Sequence, residues 1–420
     1  MMQRLRKLEV TSAFVAVTTL FFVWGFISSN NDPLIVAMRA AFQLSYSEAL
    51  QIQLVSFLAN GLMSLPAASL GNRLGAVNTI LLALATMTTG CLSVGLALAE
   101  ESYPGVLGAL FVLALGITML QVSANPLVAG LGPASSSHFR LNFAQTFNSL
   151  GVVVGVNYGA AVMLGERVMT AGQGSIHNNA ERREVLQAVD GAFLTMAAML
   201  TALAAFVWFQ RHRIGLATGK AEALAGTSVL AALRSRWAVS GALVIGLYVG
   251  AEVSIASVMI NFLHERTVMG LPLEQGGFYL ANVYWGGALA GRIIGTILLT
   301  RIAAVRLLAI CAGMAAFLCL MAFAEVGSVS GWAALGVGLF NSVMFPTIFS
   351  LTLERSGVSR SSTSGLLVLA ISFGALLPFL VARLADTASL ATAFAVPAVA
   401  YLAIVCFAWR ADAAGPMTQD

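Results

Sequence analysis

The chain has 420 residues, 59% of them hydrophobic and 10% charged, and its mean hydropathy is +0.87. A soluble chain carries about 25% charged residues, so this composition excludes an ordinary water-soluble domain and predicts a polytopic α-helical membrane protein. The net charge of +4 comes from residues lying between apolar runs and gives no reason to expect a nucleic-acid partner.

Apolar runs long enough to cross a bilayer as helices fall at 11–41, 47–70, 76–99, 104–130, 140–164 and 190–210. A second set follows at 237–265, 274–299, 304–325, 329–353, 361–384 and 389–409, giving twelve spans. The basic N-terminus and first run resemble a secretory signal, but no small-residue cleavage site follows, so we read a retained first helix. Residues 1–210 form one six-helix bundle and 237–420 a second, joined by a cytoplasmic linker at 211–236 that is poor in apolar residues. The longest polar loop within a half is 165–189, with His177, Glu181, Arg182 and Arg183. Cys91, Cys311, Cys319 and Cys406 all lie inside apolar runs and read as small buried hydrophobes, with neither metal spacing nor a disulfide framework. Lys and Arg are more than twice as frequent on the side that holds the N-terminus and linker, which predicts that both termini are cytoplasmic.

An internal repeat runs at an offset of 220 residues. It carries Gly71-Asn72-Arg73-Leu74-Gly75 onto Gly291-Arg292-Ile293-Ile294-Gly295, Pro126 onto Pro346, Gln121 onto Asn341 and Asp32 onto Glu252. Duplication of a six-helix unit follows, with the halves related by an axis along the membrane normal and a substrate site expected between them.

The chemistry-bearing residues stand out against this apolar background. In Trp24-Gly25-Phe26-Ile27-Ser28-Ser29-Asn30-Asn31-Asp32-Pro33, an apolar run ends in amides, an acid and a helix-breaking proline. A carboxylate at membrane depth costs roughly 2.5–3.5 kcal/mol on insertion scales, which makes Asp32 a functional candidate. Its functional reading is a proton acceptor beside Asn31, and its plain alternative is a solvated acid at a helix end. Glu252 lies deep in the seventh span, one turn after Tyr248 on the same face. It reads either as a second cavity acid or as the partner of a buried donor such as Asn282 or Tyr279. Gln121 and Asn125 share a helix face, as do Gln145 and Asn148. Paired amides donate and accept together, which suits vicinal hydroxyls, although buried amides also join helices in lipid. Asn282 with Trp285, and Asn341 with Phe345, offer amides beside aromatic faces, fit either for a pyranose or for packing. Arg73 and Arg292, next to glycines near the ends of the second and eighth spans, read as gating elements or as positive-inside anchors. His138, beside Arg140, reads as a loop residue. No phosphate-binding loop, metal-ligand cluster or nucleophile–base pattern appears, so neither an enzyme nor ATP-driven transport is expected.

The stretches WGFISSNNDPL, QVSANPLVAGLGP, FRLNFAQTFNSLG, YVGAEVSIAS, YWGGALAGRIIG and FNSVMFPTIFSL resemble the fucose–galactose–glucose:proton symporter family of the major facilitator superfamily. The resemblance spans nearly the whole chain and leans toward the glucose/galactose branch. It implies the major facilitator fold, an all-α membrane protein with twelve transmembrane helices in two pseudo-symmetric halves. It further implies that Asp32 is the proton-linked acid and that Gln145 and Asn148 contact sugar. The fucose permease has a glutamate, implicated in proton coupling, at the position matching Gln121. An amide does not titrate, so a two-acid relay within the first half is unavailable, leaving Glu252 as the second candidate. The superfamily's usual acid between the second and third spans is Asn72 here.

The expected function is therefore a monosaccharide:proton symporter of glucose/galactose or fucose type, working by alternating access. A sodium-coupled or uniport sugar carrier uses the same residues, and a membrane-embedded sugar sensor is the alternative from another class. We expect no cofactor and no metal, a proton rather than sodium as coupling ion, and a lipid bilayer, a monosaccharide and a proton as the partners of a monomer in an inner membrane.

Overall fold

Inside hydrocarbon a backbone amide or carbonyl has no water to turn to, so runs this apolar must satisfy their polar groups within helices. The computed structural model describes residues 2–44, 46–49, 51–133, 136–163, 179–218, 229–324 and 327–413, and every element in them is helical. The side chains of residues 2–13 and of Asp32 lie outside the described residues, as does 165–178 of the expected polar loop, with His177.

The chain divides into two compact units, the first comprising Met1–Gly132 with Phe147–Gly226 and the second Pro133–Thr146 with Thr227–Asp420. The first unit contains α1 (Met2–Ser28), α2 (Asn31–Phe42), α3 (Gln51–Leu74), α4 (Ala76–Ala99) and α5 (Tyr103–Gly130). The long helix α6 (Ser137–Met163) starts in the second unit and continues in the first, which closes with α7 (Asn179–Thr218). The second unit continues with α8 (Arg236–His264), α9 (Leu273–Tyr279), a π-helical stretch Leu280–Trp285, and α10 (Gly286–Leu298). It then runs through α11 (Ala304–Ala324), α12 (Ser328–Asn341), α13 (Met344–Arg355), α14 (Arg360–Phe373), α15 (Leu376–Thr387) and α16 (Ala395–Ala413).

Local chemistry sets the ends of these helices. Ser102 caps α5 by accepting from the Gly105 N–H at 3.1 Å, with Pro104 in the first turn where no amide is needed. Ser235 caps α8 in the same way, through the Ala238 N–H at 3.2 Å. Gly75, at φ +80, makes the turn between α3 and α4.

Within the described residues eleven helices are long and apolar enough to cross a membrane. The twelfth expected span, 274–299, is present as α9, the π stretch and α10, and is interrupted rather than missing. Two boundaries differ from the sequence reading. Helix α7 begins at Asn179, inside the expected loop, and runs to Thr218, past the expected linker start at 211. Glu181 in its first turn favours that early start through the helix dipole. The linker's far end is itself helical, a 3-10 segment at Val229–Arg234. One cysteine also departs from expectation: Cys91, Cys311 and Cys319 are buried, whereas Cys406 is exposed on the outer face of α16.

Glycine sets how closely the helices approach. In the first unit Gly151, Gly155 and Gly159 form a stripe on α6, and a Cβ at the first two would collide with the carbonyl oxygens of Phe22 and Phe26 on α1. In the second unit a Cβ on Gly291 of α10 would strike the Leu339 carbonyl of α12.

Candidate functional site

In the first unit the break between α1 and α2 shapes everything around Asp32. Asn30 turns its own N–H to the Ile27 carbonyl (3.2 Å) and gives its side-chain Nδ2 to the Phe26 carbonyl (2.6 Å), which a regular helix would have paired with that N–H. Pro33 has no amide to offer, so the helix restarts with the Leu34 N–H on the Asn30 carbonyl at 3.1 Å. The Asn30 Oδ1 is buried without a hydrogen-bond partner among the described residues. Asn31 reaches Ser56 Oγ on α3 at 3.4 Å. Asp32 occupies the first turn of α2.

On α5, Asn125 is fully buried, and Gln121, one turn earlier, holds its Oε1 in a buried position with no hydrogen-bond partner among the described residues. An enclosed acceptor of this kind is what a hydroxyl donor would satisfy. Asn148, by contrast, is committed to the fold: its Nδ2 donates to the Phe21 carbonyl of α1 at 3.0 Å. Arg73 is exposed in the last turn of α3, as an anchor at a helix end would be.

The second unit contains a continuous polar chain. Tyr248 donates to Glu252 Oε1 at 2.8 Å along α8, the pairing expected of residues four apart. Glu252 does not engage Asn282 or Tyr279. Tyr284 from the π stretch reaches its backbone carbonyl instead, at 3.4 Å. Asn341 then joins Tyr284 and Tyr401, donating Nδ2 to the Tyr284 hydroxyl at 3.0 Å and accepting the Tyr401 hydroxyl on Oδ1 at 2.6 Å. Asn341, Tyr284 and Tyr401 have no solvent exposure, so this amide acts inside the core. Phe345 packs between Phe349 and Tyr248, with ring centroids 5.7 and 6.4 Å away. Trp285 is 44% exposed and sets its ring edge against Tyr284, while Asn282 is exposed and bonds only its own turn, at the Phe278 carbonyl. Arg292 lies within α10 and donates to the backbone carbonyls of Ser342 (3.2 Å) and Gln145 (3.1 Å). Gln145 is itself buried on the part of α6 that belongs to this unit.

A further cluster lies at the start of α6. His138 is in its first turn rather than in a loop, because the Gly132–Pro133 turn is already complete when the helix begins at Ser137. Its Nδ1 lies 2.6 Å from Ser350 Oγ and its Nε2 3.3 Å from Glu354 Oε2, and Ser137 also hydrogen-bonds Glu354. Arg355 stands 3.9 Å from the same carboxylate and donates to the Ala411 carbonyl at 3.1 Å.

A model of the Major Facilitator Superfamily matches residues 14–378. The chain belongs to the Major Facilitator Superfamily. Among members of this superfamily, it is 38% identical over 399 residues to a glucose/galactose transporter of Brucella abortus, covering 95% of this chain and 92% of the relative. It is 30% identical to the L-fucose-proton symporter of Escherichia coli, covering 94% and 92% of the two chains. The crystal structure of the E. coli fucose:proton symporter FucP superposes with a TM-score of 0.83 at 26% identity, over 96% of this chain and 99% of that one. The relatives are transporters and not enzymes.

In this superfamily member the structure therefore gathers Tyr248, Glu252, Asn341, Phe345 and Arg292 within one unit, with Gln145. It gathers Asn31, Gln121, Asn125 and Asn148 in the other. Asn282 and Trp285 stand apart from the hydrogen-bonded chain. Sequence reasoning passed over Tyr401 and the His138–Glu354 pair, and it singled out neither Asn30 nor Tyr284 as a site residue. Glu354 had a visible signal, an acid at the end of an apolar span. The two tyrosines had none, since their partner Asn341 is 57 and 60 residues away along the chain.

Proposed function

We propose that this chain imports a monosaccharide of the glucose/galactose type together with protons by alternating access. The observation that carries this reading is similarity along almost the whole chain, 38% identity over 95% of it, to a protein named for glucose and galactose transport. The L-fucose-proton symporter among the relatives supports a proton, rather than sodium, as the coupling ion.

Asp32 carries the proton in this reading. When it is protonated, an ion at membrane depth becomes neutral and the loaded carrier reorients at lower cost. In the first unit Gln121, whose buried Oε1 has no hydrogen-bond partner among the described residues, offers the sugar a hydrogen bond together with Asn31 and Asn125, and in the second unit Gln145 offers another. Phe345 and Trp285 supply aromatic faces. Asn148 and Asn341, whose amides are already committed, each support their own unit, and Asn282 is a further candidate contact in the second. Glu252, engaged by Tyr248, is the second acid. The Lys and Arg distribution supports both termini in the cytoplasm, and we read the carrier as a monomer of an inner membrane.

The test is uptake into proteoliposomes. Asp32→Asn is expected to abolish uphill accumulation driven by a pH gradient while leaving sugar counterflow intact. Uphill uptake at the wild-type level would remove Asp32 from the mechanism, and accumulation that follows a sodium gradient instead would replace the coupling ion.

A further inference from the structure

Helix α13 carries Pro346, and a proline has no N–H to give the carbonyl four residues back. The acceptor it leaves over belongs to Ser342, at the joint where α12 ends at Asn341 and α13 begins at Met344. Asn341, Ser342 and Met344 are fully buried, so water is not at hand to take the amide's place.

Arg292 takes it. Its Nε donates to the Ser342 carbonyl at 3.2 Å, and one terminal nitrogen donates to the Gln145 carbonyl at 3.1 Å. The reach depends on two glycines of α10. A side chain at Gly291 would meet the Leu339 backbone, and one at Gly295 would meet Val343, so neither helix could come as close. The guanidinium presents its donors in a rigid plane, so a single group fixes the separation of its two acceptors. Its charge also interacts with Glu252 and Tyr248 on α8. An arginine that merely anchored the span end would point to headgroups, as exposed Arg73 can. The 220-residue register pairs Arg292 with Asn72, not with Arg73.

We propose that Arg292 is a positioning residue of the sugar site. By taking the place of the amide that Pro346 lacks and gripping the Gln145 carbonyl as well, it sets the spacing between the α12–α13 joint, with Asn341 and Phe345, and the turn of α6 that carries Gln145. This rests on the reading of the chain as a sugar carrier.

The experiment uses the full chain, with Pro346→Ala, Arg292→Gln and Arg292→Lys each made alone and each arginine variant also combined with Pro346→Ala, which returns an N–H to the Ser342 carbonyl. KM and Vmax for monosaccharide counterflow are measured in proteoliposomes, and thermal unfolding in detergent. Arg292→Gln is expected to raise KM roughly tenfold, the scale of a lost hydrogen bond from a charged donor, with Vmax changed less. Arg292→Lys keeps the charge but not the fork and is expected to raise KM as well. Adding Pro346→Ala is expected to recover part of the loss in both KM and melting temperature, a non-additivity that general structural damage would not produce. A KM in Arg292→Gln equal to wild type, or an additive cycle with Pro346→Ala, overturns the assignment. If Arg292→Gln does not accumulate, the cycle built on Arg292→Lys decides by the same criteria. A wild-type chain that exchanges no monosaccharide overturns the sugar-carrier reading itself, which separates the two failures.

Discussion

At Ser29–Asn30 in the first unit and at Ser342–Val343 in the second, a membrane span is interrupted ahead of a proline, Pro33 and Pro346. The two breaks are mended differently. Asn30 closes the first from within its own helix, by giving its side chain to the Phe26 carbonyl. The second is closed from a neighbouring element, by Arg292 on α10. A local repair travels with its helix, whereas a repair across elements ties the break to whatever holds the donor. The repeat deepens the contrast, because Pro126 is the counterpart of Pro346 and α5 nevertheless runs unbroken through it, from Tyr103 to Gly130. A proline at the same place in the 220-residue register is thus accommodated in one unit and lies just past a joint in the other.

Three substitutions would sharpen or break this comparison. The largest effect is expected at Gly291, where replacement by Leu would drive a side chain into the Leu339 backbone. It should cost about 3 kcal/mol or more, the upper range for overpacking against atoms that cannot move aside, read as a lowered melting temperature and reduced yield. If Gly291→Leu is tolerated, the close approach that lets Arg292 reach Ser342 is not required. Next comes Asn30→Ala, expected to cost about 1 kcal/mol, since it leaves the Phe26 carbonyl to the Ser29 hydroxyl at 3.0 Å but also removes a buried Oδ1 with no partner among the described residues. A larger loss for Asn30→Ala than for Arg292→Gln in thermal unfolding would reverse the ranking of local and long-range repair. The smallest effect belongs to exposed Arg73. Arg73→Ala should stay within about 0.5 kcal/mol and leave the sugar KM unchanged, and a clear KM effect would show that Arg73 does more than anchor the end of α3.

Much of the architecture was legible because a bilayer admits few solutions: apolar runs of this length must be helices, and the 220-residue offset in the chain exposed the duplication. The Tyr248–Glu252 pair was legible for a similar reason, since a spacing of four on a helix is a local property. What could not be read was where helices stop being regular and what compensates. The eighth span read as continuous from its hydropathy, yet it contains a π stretch at Leu280–Trp285. Arg292 read as a gate because its glycine neighbours were visible and its acceptors, 50 and 147 residues away in the chain, were not. His138 read as a loop residue because the turn before it is rich in Gly, Pro and Ser, and nothing local announced Glu354. Asn341 was found as a residue but not in its role, since the two tyrosines that occupy its amide come from distant spans.

The π stretch has one more consequence. There the Gly286 N–H donates to the Ala281 carbonyl, five residues back instead of four, so the helix spends an extra residue on that turn. Each α-helical residue rotates the chain by about 100°. Removing a single residue between Leu280 and Trp285 would turn the Gly286–Ala281 bond into an ordinary four-residue α turn and leave the face of α10 that carries Arg292 where it is, whereas the same deletion in regular helix would swing that face by about 100°. This membrane span is therefore expected to take a one-residue deletion at the π stretch more readily than in the regular helix that follows it.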